Sequence, residues 1–399
     1  MDAVGVAART SSWYLANFVS TAGQQGSAER RTARSALRGL NRQPGVSALA
    51  RPAACGLPIG GGLVAVHRQP EGACHTSGVE TCASIWSCPV CAAKIRNYRA
   101  DEIAAALGAH VEAGGGALLV TLTLPHQAGD QLRKTVTLVS DGFRAVQRGR
   151  TYVAERNAYG ILGHIRAFEI THGRNGWHPH LHLIVVTAGP LTDDQAGALQ
   201  GAWQARWDRW LTGQGWPASV EGIGVRVDRV RRDAAAVGEY VAKLQEGDDG
   251  RLIRGAANEA ARADLKAGRA GSRVPFQILA DFGCDGGGQD LALWHEYQTA
   301  TKGRSAIRWS RGLRALLQVE ELTDDEVAEL DAGGDVLLVL TGALYRRIAA
   351  RPYGEAMLMV AAEKGGYVGV RRFVKALKLD ARGVLPPETL MGIDRGEVA

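Results

Sequence analysis

The sequence predicts an α+β protein whose middle third is a ferredoxin-like, split βαβ core, with a cysteine knuckle before it and an α/β extension after it. Three observations carry that expectation. Across residues 115–248 the hydrophobic pattern switches period in the order strand, helix, strand, strand, helix, strand, helix. Residues 168–186, FEITHGRNGWHPHLHLIVV, read as two strands joined by a turn at Gly173, Asn175 and Gly176. Cys88-Pro89-Val90-Cys91 has the spacing at which two thiolates share one tetrahedral ion.

The totals bound the function class. A chain of 399 residues has room for two or three domains and a substantial core. Its net charge of +6 and pI of about 9.1 favour a polyanionic partner. No apolar run approaches the ~18 residues of a membrane span, and no signal-peptide core opens the chain, so a cytoplasmic protein without membrane contact is expected. Six cysteines in such a chain read as metal ligands or free thiols rather than disulfides.

In chain order, residues 1–54, rich in Ala, Ser, Gly and Arg, are expected to form a flexible basic arm. Residues 55–114 are assigned to a zinc knuckle and a linking helix. Cys74, Cys82, Cys88 and Cys91 are the expected zinc ligands, with His75 an alternative for the first. Cys55 and Cys284 have no evident partners and read as ordinary apolar residues. Residues 92–111 are helical in pattern, ending at Gly114 to Gly116.

The core is assigned to residues 115–248. Its first strand is ALLVTLTL, residues 117–124, followed by a helix over 131–149 and a strand over 165–171. On the next strand alternate side chains share a face, so His178, His180 and His182 point one way and Leu181, Leu183 and Val185 point into a core. Two imidazoles two residues apart on a strand can chelate one divalent ion, Mg or Mn among the candidates. In a hairpin Glu169 lies nearly opposite His180 and completes the ligand set. His172 is the rival third ligand; His178 reads equally as an outer ligand or a turn-region surface histidine, His126 after TLTLP could sit near the site, and His164 reads as a strand-end surface residue rather than a ligand. A helix over 193–211 opens with Thr192 and Gln195 in capping-box spacing. A strand over 224–230 and a helix over 233–245 follow. Tyr240 and Lys243 lie on that last helix; a lone helical tyrosine is usually core filling.

These residues resemble a family. The triplet His180-Leu181-His182 within WHPHLHLIVV is similar to the HUH motif of rolling-circle plasmid replication initiators from Gram-positive and actinomycete hosts, and of related relaxases and transposases. CPVCAAKI before the core and YVAK at 240–243, an YxxK, are similar to the same family's motifs, and the likeness runs from about Cys74 to Arg314. The resemblance implies a metal-dependent DNA nickase and ligase in which Tyr240 is the nucleophile, assisted by Lys243. It implies a 5′-phosphotyrosine intermediate, with plasmid origin DNA nicked as a single strand and a host helicase and polymerase as partners. Leu244 stands where a second tyrosine would lie in paired-tyrosine relatives, which implies a single nucleophile. The competing expectations are an HUH-type transposase, a non-catalytic zinc-containing DNA-binding protein and, least suited to the charge, a metal-dependent hydrolase of small molecules.

Residues 249–320 read as a basic connecting region. Arg304, Arg308, Arg311 and Arg314 around Trp309 are expected to contact DNA, with a solvated basic face the equal alternative. Residues 321–399 read as a C-terminal accessory region with a βα-like unit over 336–350. No GxxxxGK[ST] loop occurs, so no ATPase activity is expected.

Overall fold

The computed structural model describes residues 22–40, 50–230, 272–330, 332–351 and 353–390. Its strands are β1 (Val64–Arg68), β2 (Cys74–Ser77), β3 (Gly116–Leu122), β4 (Ile161–Gly173), β5 (Gly176–Thr187), β6 (Val225–Arg229), β7 (Ile307–Trp309), β8 (Asp335–Leu340) and β9 (Val384–Leu385). They form two antiparallel sheets, in mixed α+β surroundings. The chain divides into two compact units, one of Met1–Ala92, Phe276–Ala292 and Thr323–Ala399, the other of Ala93–Pro275 and Leu293–Leu322.

The second unit holds a five-stranded sheet in the order β6-β3-β5-β4-β7. β5 lies between β3 and β4 and is antiparallel to both, so β3 and β4 run parallel to each other. The chain gets from β3 to β4 through the helices Leu132–Val146 and Gly149–Ala158, and from β5 to β6 through the helix Asp193–Gly213. That last helix begins with the expected capping box: the Thr192 hydroxyl accepts from the Gln195 amide, while the Gln195 side chain accepts from the Thr192 amide.

Alternation along the strands gives the sheet two different faces. One is apolar across its two central strands: Leu181, Leu183 and Val185 of β5 are fully buried with Leu118, Val120 and Leu122 of β3, as their spacing predicts. On the other, Ala117, Leu119, Ile165, Ala167, Ile184 and Val186 pack against Ala100, Ile103 and Leu107 of the helix Pro89–Glu112. Past Leu119 and Ala167 that same face turns polar. The helices Leu132–Val146 and Asp193–Gly213 approach closely at Gly142, where a Cβ would stand 2.5 Å from the Trp207 ring and 2.6 Å from Trp210.

β7 was not expected. Residues 307–309, read as part of a basic connector, add a strand to the outer edge of β4, with Ile307 facing Ala167 and Trp309 facing Ile165. Period-two alternation over three residues is too short to identify a strand locally.

The first unit holds a sheet in the order β2-β1-β8-β9. The expected 55–114 and 321–399 regions therefore share one sheet, because the two-stranded β1–β2 hairpin gains a third strand from β8. The Gly354–Ala376 helix covers it through Leu358, Met359, Ala362, Val370 and Val374. Part of the expected flexible arm is ordered as the helix Ala22–Leu40. Arg34 and Arg38, one turn apart on it, both pair with the buried carboxylate of Glu355, which also accepts from the Tyr345 hydroxyl at 3.0 Å. Burial pushes Glu355 upward, but the two guanidinium groups outweigh it and hold the carboxyl below its ordinary range. Among the described residues no helix is long and apolar enough to cross a membrane.

Candidate functional site

The β4–β5 hairpin turns at Arg174 and Asn175 between the paired residues Gly173 and Gly176. Gly176 has φ +83°, a conformation that favours glycine. The turn sets a register in which Glu169 faces His180, Ala167 faces His182 and Thr171 faces His178. With β3 on the other side, Thr121 faces His182. Glu169, His178, His180, His182 and Thr121 thus share the polar half of one sheet face.

Side-chain contacts tighten this group. The Nε2 of His182 lies 2.7 Å from a Glu169 carboxylate oxygen, and its Nδ1 lies 3.2 Å from the Thr121 hydroxyl. His182 and Glu169 are buried, at 4% and 5% exposure, while His180 is half-buried. The His180 and His182 rings lie nearly parallel, 5.9 Å apart. His178 packs against His180 at 3.9 Å, and its Nδ1 is 3.0 Å from His126 Nε2. The Thr123 hydroxyl meets His178 Nε2 at 3.2 Å. Burial, reinforced by His126, pulls His178 down to about 4, so it is neutral at physiological pH.

His126 reaches this group because its strand extension is pinned from the helical side. The Trp207 indole donates to the Thr123 carbonyl at 2.8 Å and the Trp216 indole to the Pro125 carbonyl at 2.7 Å. For Thr121 and Thr123 the sequence carries no signal beyond the alternating threonines of ALLVTLTL. His172, the rival ligand, falls on the opposite face by strand parity and stacks edge-on against Trp177. His164 is half-buried, edge-on to Phe143, and meets Gln147 at 3.2 Å, away from the group. Tyr240 and Lys243, with Leu244, lie outside the described residues.

His180, His182 and Glu169 offer imidazole and carboxylate groups, which are side-chain types that could hold a divalent ion. Thr121 holds His182 by its second nitrogen, the kind of outer contact that fixes the ring and tautomer of a ligating histidine.

The cysteine centre corrects two expectations, Cys74 as a ligand and Cys55 as an ordinary apolar residue. The group formed is Cys55, Cys82, Cys88 and Cys91, all buried, with sulfurs within 4.8 Å of one another. Cys55 Sγ is 3.6 Å from both Cys88 and Cys91, and Cys82 is 3.8 Å from Cys91. A tetrahedron with ~2.3 Å zinc–sulfur bonds has edges of about 3.8 Å, so the spacing suits a structural zinc held by four thiolates. Cys88 precedes Pro89 at the start of the helix Pro89–Glu112. The neighbouring thiols of Cys82, Cys88 and Cys91, with Arg34 adding, pull Cys55 below the ordinary thiol range. Cys74, expected as a ligand, is instead in the apolar core of the first sheet, where burial raises its thiol. The β1–β2 pairing holds it opposite Arg68, and the loop after the short helix Ala50–Ala54 brings Cys55 to the sulfurs.

The basic run divides. Arg314 is 2.5 Å from Glu102, donates to the Glu320 carbonyl and lies 4.6 Å over the Trp309 ring, so it and Trp309 are engaged internally. Arg304 donates to the Ala300 carbonyl and to Thr137. Arg308 and Arg311 are exposed.

Residues 75–221 match the family model described as "Replication protein", a span that includes the histidine strand and the Cys82, Cys88 and Cys91 sulfurs. The chain is 33% identical over 386 residues to "Protein rep" of Streptomyces lividans, covering 81% of this chain and 78% of the relative. It is 29% identical over 194 residues to "Neomycin resistance protein" of Streptomyces cyanogenus, covering 42% of each. No solved structure matches. With that identity along most of both chains, and the histidine strand inside the matched span, the chain belongs to the replication protein family, in its actinomycete plasmid Rep branch.

Proposed function

We propose that the protein initiates plasmid rolling-circle replication as a metal-dependent, site-specific nickase and ligase acting on single-stranded origin DNA. The observation that carries the reading is the Glu169, His180 and His182 patch, with His182 held by Thr121. Supporting it, the strand order β6-β3-β5-β4 is that of a ferredoxin-like split βαβ sheet, the scaffold expected of an HUH core. We assign the catalytic core to residues 115–248 and the cysteine knuckle, with structural zinc, to the segment before it.

Glu169, His180 and His182 would hold the divalent cation, which supplies Lewis acidity to the phosphate bound beside it. Tyr240 is the nucleophile. Its phenol, with an ordinary pKa of about 10, is weakly reactive until deprotonated, and Lys243, three residues on in the sequence, favours the phenolate. The tyrosine oxygen bonds to phosphorus, the bond to the 3′ oxygen breaks, and that oxygen takes a proton. A 5′-phosphotyrosine and a free 3′-OH result. The diester energy is kept in the protein link, so the reverse attack religates the strand. The 3′-OH serves a host polymerase, and with no phosphate-binding loop for ATP, unwinding falls to a host helicase. Such work places the protein in the cytoplasm.

The test is incubation with origin DNA and Mn²⁺ followed by denaturing electrophoresis. Wild type yields a covalent adduct; Tyr240→Phe and His180→Ala/His182→Ala yield none. An adduct in Tyr240→Phe overturns the nucleophile, and one in the double histidine variant overturns the metal site.

A further inference from the structure

The face of the five-stranded sheet opposite the histidines carries an arrangement that no part of the nicking chemistry uses. Arg166 of β4 and Arg308 of β7 are direct cross-strand partners. Like charges at such positions destabilise a sheet pair. Among the described residues neither guanidinium is in an ion pair, and Arg166 lies 6.0 Å from the Phe168 ring.

The neighbouring elements add charge of the same sign. On the helix Leu132–Val146, Arg133, Thr137, Asp141 and Arg144 follow one another at spacings of four, four and three residues, along one exposed stripe. Arg304 reaches that stripe through a 2.7 Å bond to Thr137. The acid on the stripe, Asp141, is paired with Arg144 at 2.7 Å. Arg166 is depressed first by burial and then by Arg308, Arg144 and Arg304; Arg304 is depressed by burial and then by Arg133 and Arg144, against Asp141. Five arginines from four segments thus bear on one patch, and the carboxylate among them already has its partner.

We propose that the Arg166–Arg308 pair, ringed by Arg304, Arg144 and Arg133, is a docking site for backbone phosphates of DNA on the sheet face opposite the histidines. A fixed pair of planar donors suits phosphate oxygens, and an anion between them removes the repulsion that the empty pair sustains. The site positions DNA without reading sequence. The inference rests on the replication reading for its choice of DNA, but it needs no nicking.

Binding is therefore measured on full-length Tyr240→Phe protein, by anisotropy of a labelled duplex between 50 and 200 mM salt. Arg166→Gln and Arg308→Gln should each weaken binding about 3- to 10-fold and lower the slope of log affinity against log salt by about 1, and the double variant by about 2. Without DNA the double variant should melt at or above the temperature of its parent, which separates lost contacts from misfolding. Unchanged affinity and slope overturn the proposal. So does equal stabilisation of both proteins by inorganic phosphate and DNA, since the pair then binds neither. Failure of the adduct assay with these binding effects intact would count against the nicking chemistry alone.

Discussion

His182 and Glu169 touch at 2.7 Å although they are not cross-strand partners; Glu169 pairs with His180, and Ala167 with His182. The contact is diagonal across the hairpin. It leaves His180, the half-buried ring, beside a buried imidazole and carboxylate that are already aligned.

Thr121 keeps the His182 ring in that alignment, so Thr121→Val should weaken divalent metal binding about 10- to 100-fold while leaving the fold unchanged. Isothermal titration with Mn²⁺, alongside circular dichroism, reads both. Unaltered metal affinity would show that the hydroxyl does not support the ring.

Cys55 and Cys74 should separate in zinc content. Cys55→Ser should lose the zinc as completely as Cys88→Ser, and melt far lower, since structural zinc supplies ~10 kcal/mol or more in small zinc domains. Cys74→Ser should keep its zinc and lose about 1–3 kcal/mol through a buried hydroxyl in the sheet core. Elemental analysis of purified protein decides; zinc lost from Cys74→Ser and kept by Cys55→Ser would reverse the assignment.

Glu355→Gln should cost about 3–5 kcal/mol, because it leaves Arg34 and Arg38 buried without their countercharge. Urea denaturation of the zinc-loaded protein measures it. A loss under about 1 kcal/mol would mean the helix Ala22–Leu40 is held by other contacts.

His164 sets part of the acid response. Burial, and then Arg166, pull it down to about 4 from an ordinary value near 6.5. The folded protein thus binds the proton less readily than the unfolded chain. The stability this secures is complete above about pH 6.5 and is lost as pH falls toward 4. In His164→Gln the melting temperature should decline less over that window, although the Gln147 contact is altered. Parallel pH profiles for the two proteins would place the acid response elsewhere.

Gly142→Ala tests the helix crossing. A methyl group there meets two indole rings and should cost about 1–3 kcal/mol through displaced side chains, readable as a lower melting temperature.

Whatever a strand or a helix end settles locally was legible in the residues alone. Alternation put His178, His180 and His182 on one side and Leu181, Leu183 and Val185 on the other; Gly173 and Gly176 marked the turn; Thr192 and Gln195 made their cap. A short loop leaves one register, so Glu169 opposite His180 was also legible. Tertiary structure alone decided the rest. Cys55 and Cys74 both precede the knuckle, and only the pairing of β1 with β2 and β8 draws Cys74 into a core and leaves Cys55 for the sulfur cluster. β7 becomes a strand because β4 offers an open edge, and Arg308 meets Arg166 for the same reason. Side-chain direction follows from the backbone's own period; a partner many residues away is chosen by burial and pairing that exist only once the chain has closed on itself.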